Sequence, residues 1–231
     1  LGRIESAFIR EKRFTADAAH ELKTPLAIIR TNLDVIKMME SPDAADYRET
    51  VTVVQKQIER MSQLVDNLFS VYSMNGYQID ETVYADKIAE EALSEQTEKA
   101  ERRHIKIERS LTPCRIKANP VMLKHAVSNL IDNAIKYNEE GGCIALSVRE
   151  DNRTCIITVQ DTGIGISQAG AEHIFDPFYR EDKSRSRQMG GAGLGLSIVK
   201  NIVEQHGGTV EYQPNAPKGS IFILKIPLIE T

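Results

Sequence analysis

Apolar residues in the N-terminal third of the chain recur at alternating steps of three and four. Leu22, Leu26, Ile29, Leu33 and Ile36 keep this rhythm, and Val51, Val54, Ile58, Met61, Val65, Leu68 and Tyr72 keep it throughout. That is the period of a helix burying one narrow stripe. The pattern predicts a helix from Leu1 to about Met39 and a second from about Ala44 to Ser73. Between them Ser41-Pro42-Asp43 suits a turn and a new N-cap. Two helices joined by a short loop bury one narrow face each, which predicts pairing with a second copy as a four-helix bundle. Packing of both stripes against the following domain is the alternative, and it would hide the flank that carries His20.

Asn75-Gly76 ends this regime and places a domain boundary near residues 74–80. Beyond it helix and strand patterns mix. Asp86 to about Arg103 reads as one helix, and Ile105–Ser110 and Cys114–Ala118 as strands around a Thr112-Pro113 turn. Asn119-Pro120 opens a helix to Tyr137 with Val121, Leu123, Val127, Leu130, Ile131 and Ala134 as its buried side. Cys143–Arg149 and Thr154–Gln160 alternate as a hairpin turning at Asp151-Asn152. A helix from about Leu194 to His206 and strands Thr209–Gln213 and Ser220–Ile226 complete the pattern, which suits helices layered over a mixed sheet.

Composition narrows the reading only a little. Of 231 residues, 27% are charged and 41% hydrophobic, and the net charge of −4 gives no reason to expect nucleic acid or anionic lipid as a partner. Cys114, Cys143 and Cys155 lack CxxC spacing and sit in strand-like runs, so they read as reduced core residues. His104, His125, His173 and His206 show no metal-ligand spacing and read as surface or core fillers. No stretch approaches the roughly twenty apolar residues of a membrane span. The chain opens on Leu1 with Ile4 and Phe8 already in helical spacing, as if cut in mid-helix, so it reads as a fragment.

Chemistry concentrates in two places. In FTADAAHELKTPLA, residues 14–27, His20 lies beside the first apolar stripe, at the edge of the helix, where a nucleophile could meet a visiting domain. Glu21 puts a carboxylate next to it that could hold one ring nitrogen's proton. Thr24 follows one turn later, and Pro25 denies the Glu21 carbonyl its helical partner, so the helix should bend or loosen there. The second place is distributed. Asp161-Thr162-Gly163-Ile164-Gly165 closes a strand with an acid and two glycines, where a backbone can approach a ligand. Gly190-Gly191-Ala192-Gly193-Leu194-Gly195-Leu196 leads into a helix whose first N–H groups and dipole favour an anion. Between the two lie Arg180, Lys183, Arg185 and Arg187, which favour a triphosphate. Asn129, Asn133, Lys136 and Tyr137 share one helix face: amide oxygens for Mg²⁺, a lysine for phosphate, a tyrosine to cover a base.

In order and spacing, FTADAAHELKTPLA, NLIDNAIKY, DTGIGI, FDPFYR and GGAGLGLSIV resemble the five boxes of the two-component sensor histidine kinases. The resemblance implies an α+β chain of two domains. Residues 1–75 would be a dimerising, histidine-phosphotransfer hairpin, and residues 76–231 an ATP-binding α/β sandwich of the kind shared with DNA gyrase, Hsp90 and MutL. It implies that His20 attacks the γ-phosphate of ATP, that Glu21 is its acid/base partner, and that Thr24 positions water in a reverse, phosphatase reaction. Asn133 with Asn129 would bind Mg²⁺, Lys136 phosphate, and Tyr137 adenine. Asp161 would receive the adenine amino group, with Gly163 and Gly165 shaping the pocket. Arg180 would reach the γ-phosphate. Gly191, Gly193 and Gly195, with Leu194 and Leu196 between and after them, would anchor the lid. The link near Asn75-Gly76 would let the ATP site swing onto His20. The resemblance further implies a homodimer, a response regulator whose aspartate receives the phosphoryl group, and an upstream membrane sensor, making this the cytoplasmic part of a membrane protein that itself makes no membrane contact. The competing readings are a clamp ATPase with the same nucleotide fold, which would carry a transducer domain after the sandwich, and a non-catalytic scaffold, which would not need Asn133, Asp161 and both glycine boxes.

Overall fold

The computed structural model describes residues 2–72, 78–181 and 192–229, leaving aside the side chains of residues 2–14, 66 and 69–72. The chain forms two compact units, Leu1–Ser73 and Met74–Thr231.

The first unit is a helical hairpin of α1 (Gly2–Met38) and α2 (Ala44–Tyr72). Its turn is fixed by a reciprocal capping box. The Asp43 carboxylate accepts from the N–H groups of Ala45 (2.6 Å) and Asp46 (3.0 Å), and the Asp46 carboxylate accepts from the N–H of Asp43 (2.9 Å). The expected N-cap is therefore present, and these backbone bonds hold the Asp43 carboxyl below its ordinary range. α1 runs through Pro25 without interruption, and Pro25 is buried against the hairpin interior. Among the described side chains of the hairpin, Ala18, Pro25 and Leu64 are the buried ones. Much of the apolar stripe faces outward instead: Leu26, Val51 and Ile58 are more than half exposed, and Leu33 and Val65 more than a third.

The second unit opens with β1 (Thr82–Tyr84), α3 (Ala85–Ser94), α4 (Thr97–Glu101), β2 (Lys106–Leu111) and β3 (Arg115–Lys117). α5 (Pro120–Lys136), β4 (Cys143–Asp151), β5 (Thr154–Asp161) and the short α6 (Gln168–Ala171) follow. The unit ends with α7 (Gly195–Gln205), β6 (Thr209–Pro214) and β7 (Ser220–Pro227). The five-stranded sheet has the order β2-β4-β5-β7-β6, with β2 parallel to β4 and the other pairs antiparallel. α3, α5 and α7 pack on it, giving the helix-over-sheet sandwich that the pattern predicts.

Four expectations need correction. The helix expected over 86–103 is two: the Thr97 and Ser94 hydroxyls donate to the Leu93 and Glu91 carbonyls, and a tight turn at residues 95–96 restarts the helix. β2 and β3 do not form a hairpin. The Thr112 N–H continues the β2–β4 ladder onto the Val148 carbonyl (2.9 Å), while β3 pairs with β1, a strand too short to stand out in the sequence. The β4–β5 turn falls one residue later, at Asn152-Arg153, both in the left-handed region that a two-residue hairpin loop requires. Val121 is 72% exposed, because it lies about 200° around α5 from Leu123. The stripe that is buried uses Met122, Ala126 and Ile135 beside the expected residues. The end of the second helix at Asn75-Gly76 lies outside the described residues.

The N-terminus of α5 is capped as its sequence predicts: the Asn119 side-chain oxygen accepts from the Met122 N–H (3.1 Å), with Pro120 at the first helical position. Asn119→Ala is expected to cost about 1 kcal/mol, read as a lower urea midpoint for the transition that melts the sheet, with the slope of that transition unchanged.

Candidate active site

Strand parity builds the centre of the site. On β5 the residues facing the helices are Cys155, Ile157, Val159 and then Asp161; their neighbours across the sheet are Leu146 and Ile144 on one side and Phe222, Leu224 and Ile226 on the other. Asp161 therefore ends an apolar row, and only 5% of it is exposed. One carboxylate oxygen accepts from the N–H groups of Gly163 (2.8 Å) and Ser220 (3.2 Å). Desolvation outweighs these bonds and raises the carboxyl above its ordinary range. A buried carboxylate with spare lone pairs suits a ligand that donates an N–H.

The glycines around it are close-approach residues. A Cβ on Gly163 would stand 2.3 Å from the Tyr137 carbonyl, and one on Gly219 2.0 Å from the Asp161 carbonyl. Gly165 is left-handed (φ +71°) and abuts Gly219. The turn is joined to the end of α5 by the Ile164 N–H, which donates to the Tyr137 carbonyl (3.0 Å). Lys136 sits with its ammonium 5.3 Å from the centre of the Tyr137 ring.

The second glycine element meets the other stretch of the same helix face. A Cβ on Gly195 would lie 3.1 Å from Asn129 Oδ1 and 3.9 Å from Asn133 Nδ2, so the first turn of α7 stands against both amides. The Asn129 amide N–H₂ donates back to the His125 carbonyl (3.0 Å), which turns its oxygen toward Gly195. Leu194, at the start of α7, offers no side-chain cap, and its side chain is buried; Leu196 is half-buried. Gly193 (φ +75°) accepts at its carbonyl from the Phe178 N–H (2.8 Å), which joins the FDPFYR segment, ending in Arg180, to the glycine turn before α7. Asn129, Asn133, Lys136, Tyr137, Asp161, Gly163, Gly165, Arg180, Gly193 and Gly195 thus gather along α5 and its two glycine turns. Gly191, Lys183, Arg185 and Arg187 lie outside the described residues.

In the first unit His20 is exposed, and the Thr24 hydroxyl donates to its carbonyl (3.3 Å). Glu21 and His20 are neighbours about 100° apart around the helix, and the Glu21 carboxylate is 3.6 Å from the Arg60 guanidinium of α2.

The sequence reading missed Arg60, and near Asp161 it missed Ser220 and Asn215, whose amide donates to the Asp161 carbonyl (2.8 Å). A Gly-Ser pair opening the last strand was the available signal for Ser220. Asn215 acts from a loop and carried none. His206 is a core residue: Nε2 accepts from the Asn119 N–H (3.0 Å), Nδ1–H donates to the Ile202 carbonyl (2.7 Å), and burial lowers its pKa. Cys114 and Cys155 are buried thiols, Cys143 half-buried. Among the described residues there is no cluster of three or more metal-ligating His, Cys, Asp or Glu side chains, and no helix is long and apolar enough to cross a membrane.

Two family models match the chain: the His Kinase A (phospho-acceptor) domain over residues 10–75, and the Histidine kinase-, DNA gyrase B-, and HSP90-like ATPase over residues 118–230. The sensor histidine kinase RppB of Synechocystis sp. is 34% identical over 97% of the chain and 51% of its own length. The chain belongs to the sensor histidine kinases. It spans about half the length of the curated histidine kinases it matches. Among solved structures, the histidine kinase AdeS of Acinetobacter baumannii aligns with a TM-score of 0.73 at 25% identity, covering 91% of this chain and 98% of that one. The histidine kinase ThkA, solved in complex with the response regulator protein TrrA, shares the fold with a TM-score of 0.74 at 23% identity, over 99% of this chain and 67% of that one. The helical hairpin followed by a nucleotide-type sandwich is thus the histidine kinase architecture, and the second unit is an ATP-binding domain.

Because the folded state disfavours the charged Asp161, stability is greatest with that carboxyl protonated and is lost as pH rises through its raised native value. Asp161→Asn is therefore expected to melt at a higher temperature than the wild type near neutral pH in the absence of nucleotide. Thermal scans from about pH 7.5 down to about pH 4 should show the advantage shrinking as the wild-type carboxyl protonates.

Proposed function

We propose that this chain is the catalytic core of a receptor that phosphorylates His20 with Mg-ATP and passes the phosphoryl group to an aspartate of a response regulator. The observation that carries the proposal is an exposed histidine on a phosphoacceptor hairpin in the same chain as a pocket whose buried carboxylate, glycine turns and amide-lysine face fit a nucleotide. Residues 1–75 act as the dimerising phosphotransfer domain and residues 76–231 as the ATP domain.

In the ATP domain Asp161 accepts a hydrogen bond from the adenine amino group, and Tyr137 covers the base. Gly163 and Gly165 keep the wall thin enough for the base to enter. Lys136, Arg180 and the first N–H groups of α7 hold the phosphates. The Asn129 amide turns its oxygen toward Gly195 and the Asn133 amide lies beside it, and amide oxygens of this kind would suit a hard cation that keeps most of its waters. Bound there, Mg²⁺ would supply neutralisation of phosphate charge.

The imidazole nitrogen of His20 forms a bond to the γ-phosphorus as the bond from that phosphorus to the β–γ bridging oxygen breaks, and ADP carries away the electron pair. The ring proton on the other nitrogen leaves to Glu21 or to water. Arg60, 3.6 Å from the Glu21 carboxylate, holds it in place before that step. Thr24 positions water for hydrolysis of the regulator's aspartyl phosphate. A regulator as recipient follows from the lability of a phosphohistidine, and ThkA is a protein of this fold solved with one bound.

The dimer is supported by the outward apolar stripe of Leu26, Leu33, Val51, Ile58 and Val65. Ile58→Glu is expected to shift the chain from dimer to monomer in analytical ultracentrifugation; an unchanged dimer would place the interface elsewhere.

The central test is labelling with γ-labelled ATP and Mg²⁺. The wild type is expected to take a label that is lost in acid and survives base, and His20→Gln to take none. A base-labile label, or equal labelling of the variant, would remove His20 as acceptor.

A further inference from the structure

The α5 helix ends at the residues proposed to touch adenine and phosphate, yet its last carbonyls have no partners within the helix. They are taken by a cation from a distant part of the chain. Arg103 follows α4, which closes in a Schellman-type turn: the His104 N–H donates to Glu101 (2.9 Å) and the Ile105 N–H to Ala100 (3.0 Å), with His104 left-handed. The turn lays the Arg103 guanidinium across the end of α5. One nitrogen donates to the carbonyls of Ile135 and Lys136 (3.0 Å to the latter), and the other to the carbonyl of Asn138 (2.8 Å). The Arg103 carbonyl in turn accepts from the Gly141 N–H (3.2 Å).

We propose that Arg103 is a positioning residue for the nucleotide site. Its planar fork holds the backbone of residues 135–138 from one side, while the Ile164 N–H holds the Tyr137 carbonyl from the other. The segment bearing Lys136 and Tyr137 is therefore fixed relative to Asp161 by a clamp of two parts. The Asn138 side chain extends the clamp by donating to the Cys143 carbonyl (3.1 Å) and accepting from the Thr162 hydroxyl (3.3 Å). A cation at a helix C-terminus is also favoured by the helix dipole. Without the guanidinium the exit turn has carbonyls that only water can satisfy, and the base-covering and phosphate-binding side chains lose their register with the carboxylate. Lysine keeps the charge but cannot span both sets of carbonyls.

This inference rests on the ATP reading above, and the test separates the two. Calorimetric titration of Mg-ADP into the whole chain is compared for the wild type, Arg103→Ala, Arg103→Lys and Ile116→Ala, the last a core variant in β3 that lowers stability away from the pocket. Arg103→Ala should weaken ADP binding by roughly tenfold to a hundredfold, the scale of one or two lost charge-assisted hydrogen bonds. Arg103→Lys should recover part of it, and Ile116→Ala should bind as the wild type does. In autophosphorylation the alanine variant should raise KM for ATP, with the rate at saturating ATP kept within about threefold. Wild-type affinity in folded Arg103→Ala overturns the proposal, as does an equal loss in Ile116→Ala. A wild type that binds no ADP overturns the ATP reading itself.

Discussion

A carboxylate at the end of an apolar strand row constrains the whole second unit. Asp161 is set inward by the same alternation that buries Ile157 and Val159, and its burial makes the charged form costly. The surrounding structure reduces that cost locally. Gly163 and Ser220 bring N–H groups to one oxygen, Asn215 satisfies the adjoining carbonyl, and glycines at 163 and 219 let those backbones come that close. A group so buried is a poor contribution to the stability of the empty protein and a strong acceptor for a ligand that donates an N–H.

The hairpin stores its function in the opposite way. Among its described side chains Ala18, Pro25 and Leu64 are the buried ones, and an apolar stripe faces outward. An outward apolar face of this kind is suited to packing against another surface. That leaves the flank with His20 exposed while the ion pair of Glu21 with Arg60 lies four-fifths covered beside it. The imidazole is accessible, and the carboxylate next to it in the chain is held.

What the sequence revealed and what it concealed divide along physical lines. Local and periodic features were legible: both hairpin helices, the α5 cap at Asn119-Pro120, the inward parity of the β4–β5 pair, and the glycine turns at residues 163–165 and 193–195. The place of Asp161 was legible because it closes an alternating strand on the parity of Ile157 and Val159. Contacts between distant segments were not. Ser220 reaches Asp161 across 59 positions, Arg60 meets Glu21 from another helix, and β2 chooses β4 over the neighbouring β3 because the parallel ladder extends to Thr112. Pattern within one element also misled where a single residue was concerned. Val121 is apolar and adjacent to the stripe in sequence, yet lies on the far side of the helix.

α5 shows how these levels combine. One side of the helix is apolar and lies in the core, and the adjoining side carries Asn129, Asn133 and Lys136, so neither can be used to fasten it without loss. Its ends do that instead, with chemistry matched to the dipole. At the N-terminus Asn119 accepts from Met122, and its own N–H is accepted by a neutral, buried His206 at the end of α7. At the C-terminus the Arg103 guanidinium gathers three carbonyls. Acceptors at the positive end and a cation at the negative end both stabilise the helix. The His206 bond also ties α5 to the helix whose first turn faces the amides. The side bearing Asn129, Asn133 and Lys136 is therefore held in place from both ends of the helix.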